Sequence, residues 1–415
     1  MTRRGSAAAS TVVVLFNRDL RVHDHPALAA AAAAGFLVPL FVFDPAVLGG
    51  PHASPNRVSL LVDALGDLRR SLRQRGGTLV LRHGDPVEEC MRVAEATGAT
   101  AVHVSADISS LAGRRERRLR AACDARGLRL SRFPGVTVVP PGELRASSGN
   151  HYRVFTPYWH AWRSHPWRAP AAVPDTLRLP GGLGPVGVIP APPRLLPGER
   201  SPRLIRGGEA AGRARMAGWI GGGVSGYSLT HDGLGDGATS RLGADLHLGC
   251  VSPLELARRS AAAPGGEAFV RQLCWRDFHH QVADAFPELP RQDYRPRGRR
   301  WSTDPAGLRA WTEGTTGVAI VDAAMRQLRT EGWMPNRARL ITATHLVRTM
   351  GIDWRLGAAH FIRWLCDGDI ASNSGNWQWV AGTGNDTRPN RGFNVDRQAA
   401  RFDPDGDYVR RWTRG

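Results

Sequence analysis

Short apolar runs alternate with amphipathic segments through the first third of the chain. The runs are rich in Val, Leu and Phe, as buried β-strands are, and they span residues 11–16, 36–43, 78–81, 101–105 and 128–133. The segments between them repeat an apolar residue at every third or fourth position, as amphipathic helices do, and they span residues 27–34, 57–75, 86–97 and 113–126. Strands that alternate with helices predict an α/β domain built on a doubly wound parallel sheet.

The rest of the chain has a different pattern. From residue 166 to residue 202 Pro and Gly are frequent and periodic apolar positions are few, which is typical of a linker or a long surface loop. Beyond about residue 204 the strand-like runs stop, and ten of the 13 Trp follow residue 200. Because a buried indole needs space and a partner for its N–H, this indicates a packed all-α domain. We expect an α/β domain at 1–134, a connection at 135–203 and the helical domain at 204–415.

Charge and cysteine content narrow the class of protein. Lys and Arg number 55 against 37 Asp and Glu, a net charge of +18, and all 55 are Arg. This charge favours a polyanionic partner, with nucleic acid first and an acidic membrane surface second. The five Cys form no CxxC pair and no zinc or iron–sulfur spacing, so reduced thiols and no metal site are expected. No apolar run suits a signal peptide or a membrane span, and we expect a cytoplasmic protein.

Four polar segments contain the candidate chemistry. Residues 367–379 read DGDIASNSGNWQW and combine two carboxylates, asparagine amides and two indoles. Alone they equally fit an exposed acidic loop before a core helix, and no His or Glu cluster supports a metal site there. We interpret the paired His279 and His280 as ordinary packing or surface residues. The other three segments are a turn at 237–243 (GATSRLG), whose N–H groups and hydroxyls suit phosphate oxygens, 270–280 (VRQLCWRDFHH) and 333–340 (WMPNRARL).

Together these segments resemble the photolyase/cryptochrome family, and in particular its class I cyclobutane pyrimidine dimer photolyases. Residues 17–28 (NRDLRVHDHPAL) and 314–328 (GTTGVAIVDAAMRQL) are also similar to segments of the family, and the resemblance extends over nearly the whole chain. It implies an α/β antenna domain followed by an all-α domain that binds FAD in a U shape. It also implies light-dependent repair of ultraviolet-damaged DNA, by electron transfer from reduced FAD to a cyclobutane dimer.

The resemblance assigns FAD contacts residue by residue. Contacts to the phosphates and the ribityl chain are expected from Tyr227, Thr239, Ser240, Arg241, Leu242 and Gly243. Gly243 stands where Ser is often found, so one hydroxyl contact is expected to be missing. Arg339 would pair with Asp367, and Asn373 would lie beside the reactive flavin nitrogen. Asp367 and Asp369 are expected to face the isoalloxazine ring, and the expected FAD-binding residues in this region are Arg339, Asp367, Gly368, Asp369 and Asn373.

The resemblance also assigns the contacts to damaged DNA. Trp275 and Trp379 match the pair that sandwiches a flipped dimer, which is cheap to extrude because it is already poorly stacked. Gln272 stands where dimer photolyases commonly have Glu and can supply only part of the hydrogen bonding of a carboxylate. Leu340 stands where many relatives have Met. The other lesion or DNA contacts are expected from Gln272, Arg276, Asn336, Arg337 and Gln398.

Three further indoles match the electron-transfer chain of the family, which runs from the flavin toward the surface through Trp377, Trp354 and Trp301. Trp has an oxidisable ring, so three indoles in series divide one long electron transfer into short steps. The alternative interpretation of these three residues is helix core.

An antenna chromophore is expected in the α/β domain. Residues 41–45 (FVFDP) and 105–108 (SADI) resemble the 8-hydroxy-5-deazaflavin type more than the methenyltetrahydrofolate type, with Asp107 as the contact residue. An empty antenna site is the alternative. We expect a monomer that does not associate with membranes. The rival classes are a cryptochrome-type blue-light photoreceptor without repair activity, a (6-4) photolyase, and a non-photochemical flavoprotein or DNA-binding module.

Overall fold

The computed structural model describes residues 10–235, 239–386 and 393–413. Its N-terminal part contains a five-stranded sheet with the order β3-β2-β1-β4-β5, in which every neighbouring pair is parallel. The predicted doubly wound parallel sheet is therefore confirmed. The strands are β1 (Ser10–Phe16), β2 (Gly35–Phe43), β3 (Val80–His83), β4 (Ala101–Ser105) and β5 (Arg129–Phe133).

β1 lies at the centre of the sheet because its side chains are apolar on both faces. Val12 through Phe16 are at most 2% exposed, and Val13 pairs with Val38 of β2 and Val102 of β4. Helices cover both faces, as a parallel sheet requires. These helices are α1 (Pro26–Ala34), α2 (Pro45–Leu48), α3 (Pro55–Arg73), α4 (Pro86–Ala96) and α5 (Ser110–Asp124).

The segment between the sheet and the main helical core packs against both. Leu37 N–H donates to the Arg178 carbonyl and Leu81 N–H to the Val186 carbonyl, so the Pro- and Gly-rich stretch covers the edge of the sheet. α6 (Phe155–Ser164) belongs instead to the helical core, where Trp162 is fully buried and donates its indole N–H to Asp277. A short α7 (Pro192–Leu195) packs on α3. The predicted connection is therefore divided: α6 is part of the helical core, and the Pro- and Gly-rich stretch lies against the sheet.

The described residues after 204 form helices and one isolated bridge between Ser302 and Ile352, which confirms the predicted all-α part. The π-helical turns are Trp219–Gly223 and His345–Thr349. The helices are α8 (Glu209–Gly218), α9 (Tyr227–Thr230), α10 (Gly243–Leu248), α11 (Pro253–Ala262), α12 (Glu267–Ala285), α13 (Pro305–Glu313), α14 (Ala319–Glu331), α15 (Asn336–Thr344), α16 (Trp354–Trp364), α17 (Ile370–Ala381), α18 (Val395–Phe402) and α19 (Asp407–Thr413).

The turn that follows β1 joins the sheet to the helical part. Arg21 is fully buried and donates to the carbonyls of Gly135 and Gly249. Glu209 of α8 accepts from the backbone N–H groups of Val22 and His23. Because buried charges need hydrogen-bond partners, these contacts hold the carboxyl end of β1 against the helices.

The five cysteines are all buried and free of disulfides. Burial raises the pKa of the Cys90, Cys250, Cys274 and Cys366 thiols, so these four stay protonated and poorly nucleophilic at neutral pH. Within the described ranges, no helix is long and apolar enough to cross a membrane.

Candidate functional site

A cavity opens beside α15, α16 and α17. Acidic and amide side chains share its wall with apolar ones, as is usual for a small-molecule site. Leu340, the residue that replaces the more usual Met, is one of the apolar members. The wall includes seven residues that the sequence predicted for the site, namely Asn336, Arg339, Asp367, Gly368, Asp369, Asn373 and Trp377.

Asp369 lies at the start of α17 with both carboxylate oxygens bound. Oδ1 accepts from the Ser372 backbone N–H at 2.9 Å and lies 3.2 Å from Nε2 of His280. Oδ2 accepts from Arg18 at 2.7 Å. Burial raises the pKa of Asp369, but His280, Arg18 and Arg276 together outweigh burial and hold the pKa well below its ordinary value. The Asp369 carboxylate is therefore ionised at neutral pH.

Asp367 has one bound and one unbound carboxylate oxygen. Arg339 donates to Oδ2 at 2.8 Å, which is the pairing that the sequence predicted. Oδ1 is buried and has no hydrogen-bond partner among the residues that the structure describes. A buried polar atom left unsatisfied costs about 1–3 kcal/mol, so this oxygen fits a donor on a bound ligand.

The structure explains why residue 243 is a glycine. A Cβ there would lie 2.6 Å from Oδ2 of Asp367, so Gly243 leaves room for the carboxylate where a Ser side chain would crowd it. Asn373 donates its side-chain N–H to the Ala358 carbonyl at 3.1 Å, which leaves its side-chain oxygen as an acceptor in the cavity wall. The cavity thus offers a carboxylate and an amide oxygen to one ligand.

The turn before α10 contains a strained arginine. Arg241 has a φ of 53°, in the left-handed region that residues other than glycine seldom adopt and that is common at ligand sites. Its guanidinium lies 4.0 Å from the centre of the Trp333 ring and forms an ion pair with Glu331. Ser240 Oγ accepts from the Leu242 N–H at 3.3 Å. Residues 237 and 238 of the predicted phosphate-binding turn lie outside the described residues.

Tyr227 and Thr239 complete the predicted phosphate set, and both are half-buried. Burial and the charge of Asp232 raise the pKa of Tyr227 to about 12, so the phenol stays protonated and can donate a hydrogen bond. Its ring packs edge-on against Trp219 and Phe269. The contacts of Tyr227 and Thr239 to a cofactor stay a prediction.

Trp275 and Trp379 lie near the crossing of α12 and α17. The His279 ring packs against Gly375, where a Cβ would collide with it. Trp275 is four residues before His279, and Trp379 is four residues after Gly375. The Cα atom of each Trp is therefore about 6 Å along its helix from this contact. Trp275 is half-buried and stacks on Phe155 with ring centres 3.6 Å apart.

The other residues predicted to contact DNA differ in their exposure and in their hydrogen-bond partners. Gln272 and Asn336 are exposed. Arg337 pairs with Asp232 at 2.6 Å and donates to Gln398 at 2.9 Å, so the structure brings two of the predicted residues together.

Arg276 points inward in this structure, and its predicted contact with the lesion stays a prediction. It donates to the carbonyls of Val136 and Leu246, and its side chain is 12% exposed. Its guanidinium is turned inward because buried carbonyls and the nearby charge of Asp369 attract it.

Trp377, Trp354 and Trp301 follow one another from the cavity outward. Trp377 lines the cavity and packs against Gly357, which lies one turn after Trp354 on α16. Trp354 is fully buried and donates its indole N–H to Asp293 at 3.0 Å. Trp301 is half-buried and precedes Ser302, whose backbone pairs with Gly351 and Asp353 beside the start of α16. Their role in electron transfer stays a prediction.

Asp107 lies at the carboxyl end of β4, at the point where the strand order reverses between β1 and β4. Ligands of doubly wound sheets bind in the crevice at such a point. Arg115 of α5 reaches the same edge, where it donates to Asn17 at 3.0 Å and pairs with Asp44. Asp107 itself lies 3.5 Å from Arg18.

Three residues around the cavity were missed or misread from the sequence. His280 was interpreted as a packing or surface residue, but it is buried against Asp369. Arg18 and Arg57 come from the α/β part, and Arg57 donates to the carbonyls of Leu365 and Ile362 below the cavity. Burial lowers the pKa of Arg57 to about 10. In the sequence, only the resemblance of residues 17–28 drew attention to the segment that contains Arg18. The partners of Arg18 and Arg57 lie more than 300 residues away in sequence, so no local pattern marks these contacts.

The residues that line the cavity fit a flavin. An isoalloxazine ring has an N–H group that would satisfy the free Asp367 oxygen, and its reduced form has a second N–H that the Asn373 amide oxygen could accept. Across the described residues, no group of three or more His, Cys, Asp or Glu could hold a metal ion.

The comparisons with known proteins identify the family. Residues 12–175 match the family described as DNA photolyase, and residues 269–414 match the FAD binding domain of DNA photolyase. A deoxyribodipyrimidine photo-lyase of Streptomyces griseus is 48% identical over 97% of this chain and 89% of its own. A cryptochrome DASH of Natronomonas pharaonis is 36% identical over 97% of this chain and 90% of its own.

A solved structure agrees with these matches. The crystal structure of a bacterial class III photolyase from Agrobacterium tumefaciens is 32% identical, has a TM-score of 0.90 and covers 99% of this chain and 88% of its own. The chain belongs to the photolyase/cryptochrome family and contains the FAD-binding domain of that family. The class I subtype expected from the sequence stays a prediction.

Asp369→Ala is expected to weaken FAD binding by at least about tenfold, because lost hydrogen bonds to a charged group cost about 1.5–3 kcal/mol. The measurement is the flavin content of the purified protein, expected near one non-covalent FAD in the unaltered chain. Asp403→Ala is the control, since Asp403 likewise accepts backbone N–H groups at the start of α19. Full flavin content in Asp369→Ala, or flavin that survives denaturation and filtration, would contradict the assignment.

Proposed function

We propose that the protein is a deoxyribodipyrimidine photo-lyase that repairs cyclobutane pyrimidine dimers in DNA under blue light, with FAD as its cofactor. The observation on which this rests is that Trp275 and Trp379 lie on α12 and α17, two helices that pack on each other, and that α17 also carries Asp369 and Asn373 of the cavity wall. The name of the Streptomyces griseus relative supports the same activity, and the net charge of +18 suits a DNA substrate.

In this proposal the protein's side chains bind the FAD and orient the extruded bases. Bound FAD supplies a one-electron donor that blue light excites. Arg339 holds the Asp367 carboxylate so that its free oxygen would accept a ring N–H, and Asn373 would offer its amide oxygen from α17. The rings of Trp275 and Trp379 stack against the extruded bases, which is worth about 1–3 kcal/mol per base.

The alternative function is a cryptochrome-type blue-light photoreceptor without repair activity. Two observations favour it: a cryptochrome DASH is among the relatives, and the exposed Gln272 stands where dimer photolyases commonly have Glu.

Survival after ultraviolet irradiation separates the two functions. A bacterial strain without its own photolyase and excision repair should survive better when it expresses this protein and receives blue light, with no gain in the dark. Photoreduction of the flavin without any light-dependent gain in survival would support the photoreceptor.

Gln272→Glu should raise dimer affinity or repair yield by no more than about tenfold, since a hydrogen bond adds about 0.5–1.5 kcal/mol net. The carboxylate offers acceptors that the amide lacks. Binding to a dimer-containing oligonucleotide and quantum yield are the measurements. Gln74→Glu makes the same charge change on the exposed end of α3 and should alter neither. A large loss of repair in Gln272→Glu would mean that the neutral amide is required.

For the antenna we propose 8-hydroxy-5-deazaflavin at the Asp107 edge of the sheet, rather than methenyltetrahydrofolate. Asn17, Asp44 and Asp107 follow the carboxyl ends of β1, β2 and β4 at the switch point of the strand order, which is where doubly wound sheets bind ligands. The absorption spectrum of the purified protein distinguishes the two chromophores from each other and from FAD alone. We further propose a monomer that acts in the cytoplasm, which sedimentation and cell fractionation would test.

A further inference from the structure

Arg18 connects the two predicted chromophore sites. It lies in the turn after β1, and its guanidinium donates to Asp369 at 2.7 Å and to the His247 carbonyl at 3.1 Å. The same group lies 3.5 Å from Asp107. Its side chain is only 23% exposed. One cation from the α/β part is therefore shared between the cavity of the helical part and the edge of the sheet.

Asp369 depends on Arg18 for its orientation. The two oxygens of the carboxylate have separate tasks: Oδ1 receives the Ser372 N–H and faces His280, whereas Oδ2 receives Arg18. The N-cap contact fixes where α17 begins. Because α17 carries Asn373 and Trp377 into the cavity wall, a carboxylate that rotates would move the residues that line the ligand site.

We propose that Arg18 is a positioning residue of the FAD site, contributed by the α/β domain and acting through Asp369. This inference rests on the FAD site in the proposed function and not on the DNA substrate. The partner of Arg18 lies 351 residues away in sequence, so the FAD site is complete only when the two domains are docked.

The charges around Asp369 come from every element packed on it. Without Arg18 the carboxylate loses a direct hydrogen bond and a buried counter-charge, while the burial that raises its pKa is unchanged. Its pKa then rises toward the ordinary value. The neighbouring charged or titratable groups are Arg276, His279 and His280 of α12, His247 of α10, Arg57 of α3, Asp107 after β4, and Asp367.

Arg18→Gln tests the proposal through FAD binding alone. We expect FAD to bind the apoprotein about tenfold or more weakly, since a hydrogen bond to a charged group contributes about 1.5–3 kcal/mol. The pH at which FAD is released on acidification should also rise. The sign follows from the depressed pKa of Asp369: binding that needs the carboxylate is lost as pH falls through that pKa, and the variant has the higher pKa. Arg18→Lys keeps the charge without the fork and should restore part of the affinity.

Arg168→Gln is the matched control. Arg168 pairs with buried Asp24 of the same turn and is similarly shielded, with 27% side-chain exposure, but it does not contact Asp369. We expect it to lower the melting temperature without moving the pH of FAD release. The double variant Arg18→Gln, Asp369→Asn should bind FAD no more weakly than Asp369→Asn alone, because both changes act on the same contact.

Three results would overturn the proposal. The first is unchanged FAD affinity and release pH in Arg18→Gln, and the second is an equal shift in Arg168→Gln. The third is full additivity of Arg18→Gln with Asp369→Asn. If Arg18→Gln does not fold, Arg18→Lys is the deciding variant: FAD affinity and release pH equal to those of the unaltered protein would overturn the proposal that this guanidinium orients Asp369. Each result concerns FAD retention and leaves repair of DNA as a separate question.

Discussion

Trp377→Phe should nearly abolish photoreduction of the flavin by an added thiol, with a loss of roughly a hundredfold or more, equivalent to about 2.7 kcal/mol in the barrier. Phe is much harder to oxidise than Trp, so the first step of the outward chain is lost. Trp377 is suited to that step because it lines the cavity and is itself 2% exposed. Repair by chemically reduced protein should persist, since the electron for repair comes from the flavin and not from this chain.

Trp311→Phe provides the matched control for that variant. Trp311 is fully buried with its ring centre 6.0 Å from that of Trp377, but it is not one of the three predicted indoles. Its indole N–H donates to the Thr342 carbonyl, so the substitution removes one hydrogen bond from the same core. Photoreduction in Trp311→Phe should stay within a few-fold of the unaltered rate. A normal rate in Trp377→Phe, or an equal loss in both variants, would show that the electron takes another route.

Trp275→Ala should remove most of the preference for damaged DNA, by about 5- to 150-fold, because base–aromatic stacking is worth about 1–3 kcal/mol per base. The salt dependence of binding should change little, since it comes from arginines that neutralise phosphates. Competition between dimer-containing and undamaged oligonucleotides at several salt concentrations measures both effects.

Because Trp275 stacks on Phe155, the control for this prediction is Trp275→Phe. Trp275→Phe keeps an aromatic face for the base and a partner for Phe155, so it should retain most of the selectivity. Equal losses of affinity for damaged and undamaged DNA in Trp275→Ala would mean that the indole supports the surface and does not read the lesion.

The strands and helices of the α/β domain could be predicted because local signals mark them. β4 was predicted at 101–105 and is observed there, and β1 begins only one residue before its predicted start. α3 begins two residues before the predicted position because Ser54 accepts the Arg57 N–H and Pro55 occupies the first turn. These signals lie within a few residues of the element that they define.

The contacts that complete the site are not marked locally. Arg276 adjoins Trp275 in sequence, yet the carbonyls of Val136 and Leu246, which arrive from other parts of the chain, turn it inward. The role of Arg18 depends on Asp369, and the Pro- and Gly-rich segment is ordered by the backbone of β2 and β3. Apolar periodicity carries no information on such pairings, so only the folded chain shows them.

Repair of one defined lesion tests the central claim most directly. The reduced protein is mixed with an oligonucleotide that contains a single cyclobutane thymine dimer, irradiated with blue light, and the products are separated by chromatography. We predict that two intact thymines are restored in the light, that the dimer persists in the dark, and that a (6-4) photoproduct in the same sequence is left unchanged. A dimer that stays intact after prolonged blue light, with the flavin bound and reduced, would contradict the account and place the protein with the photoreceptors.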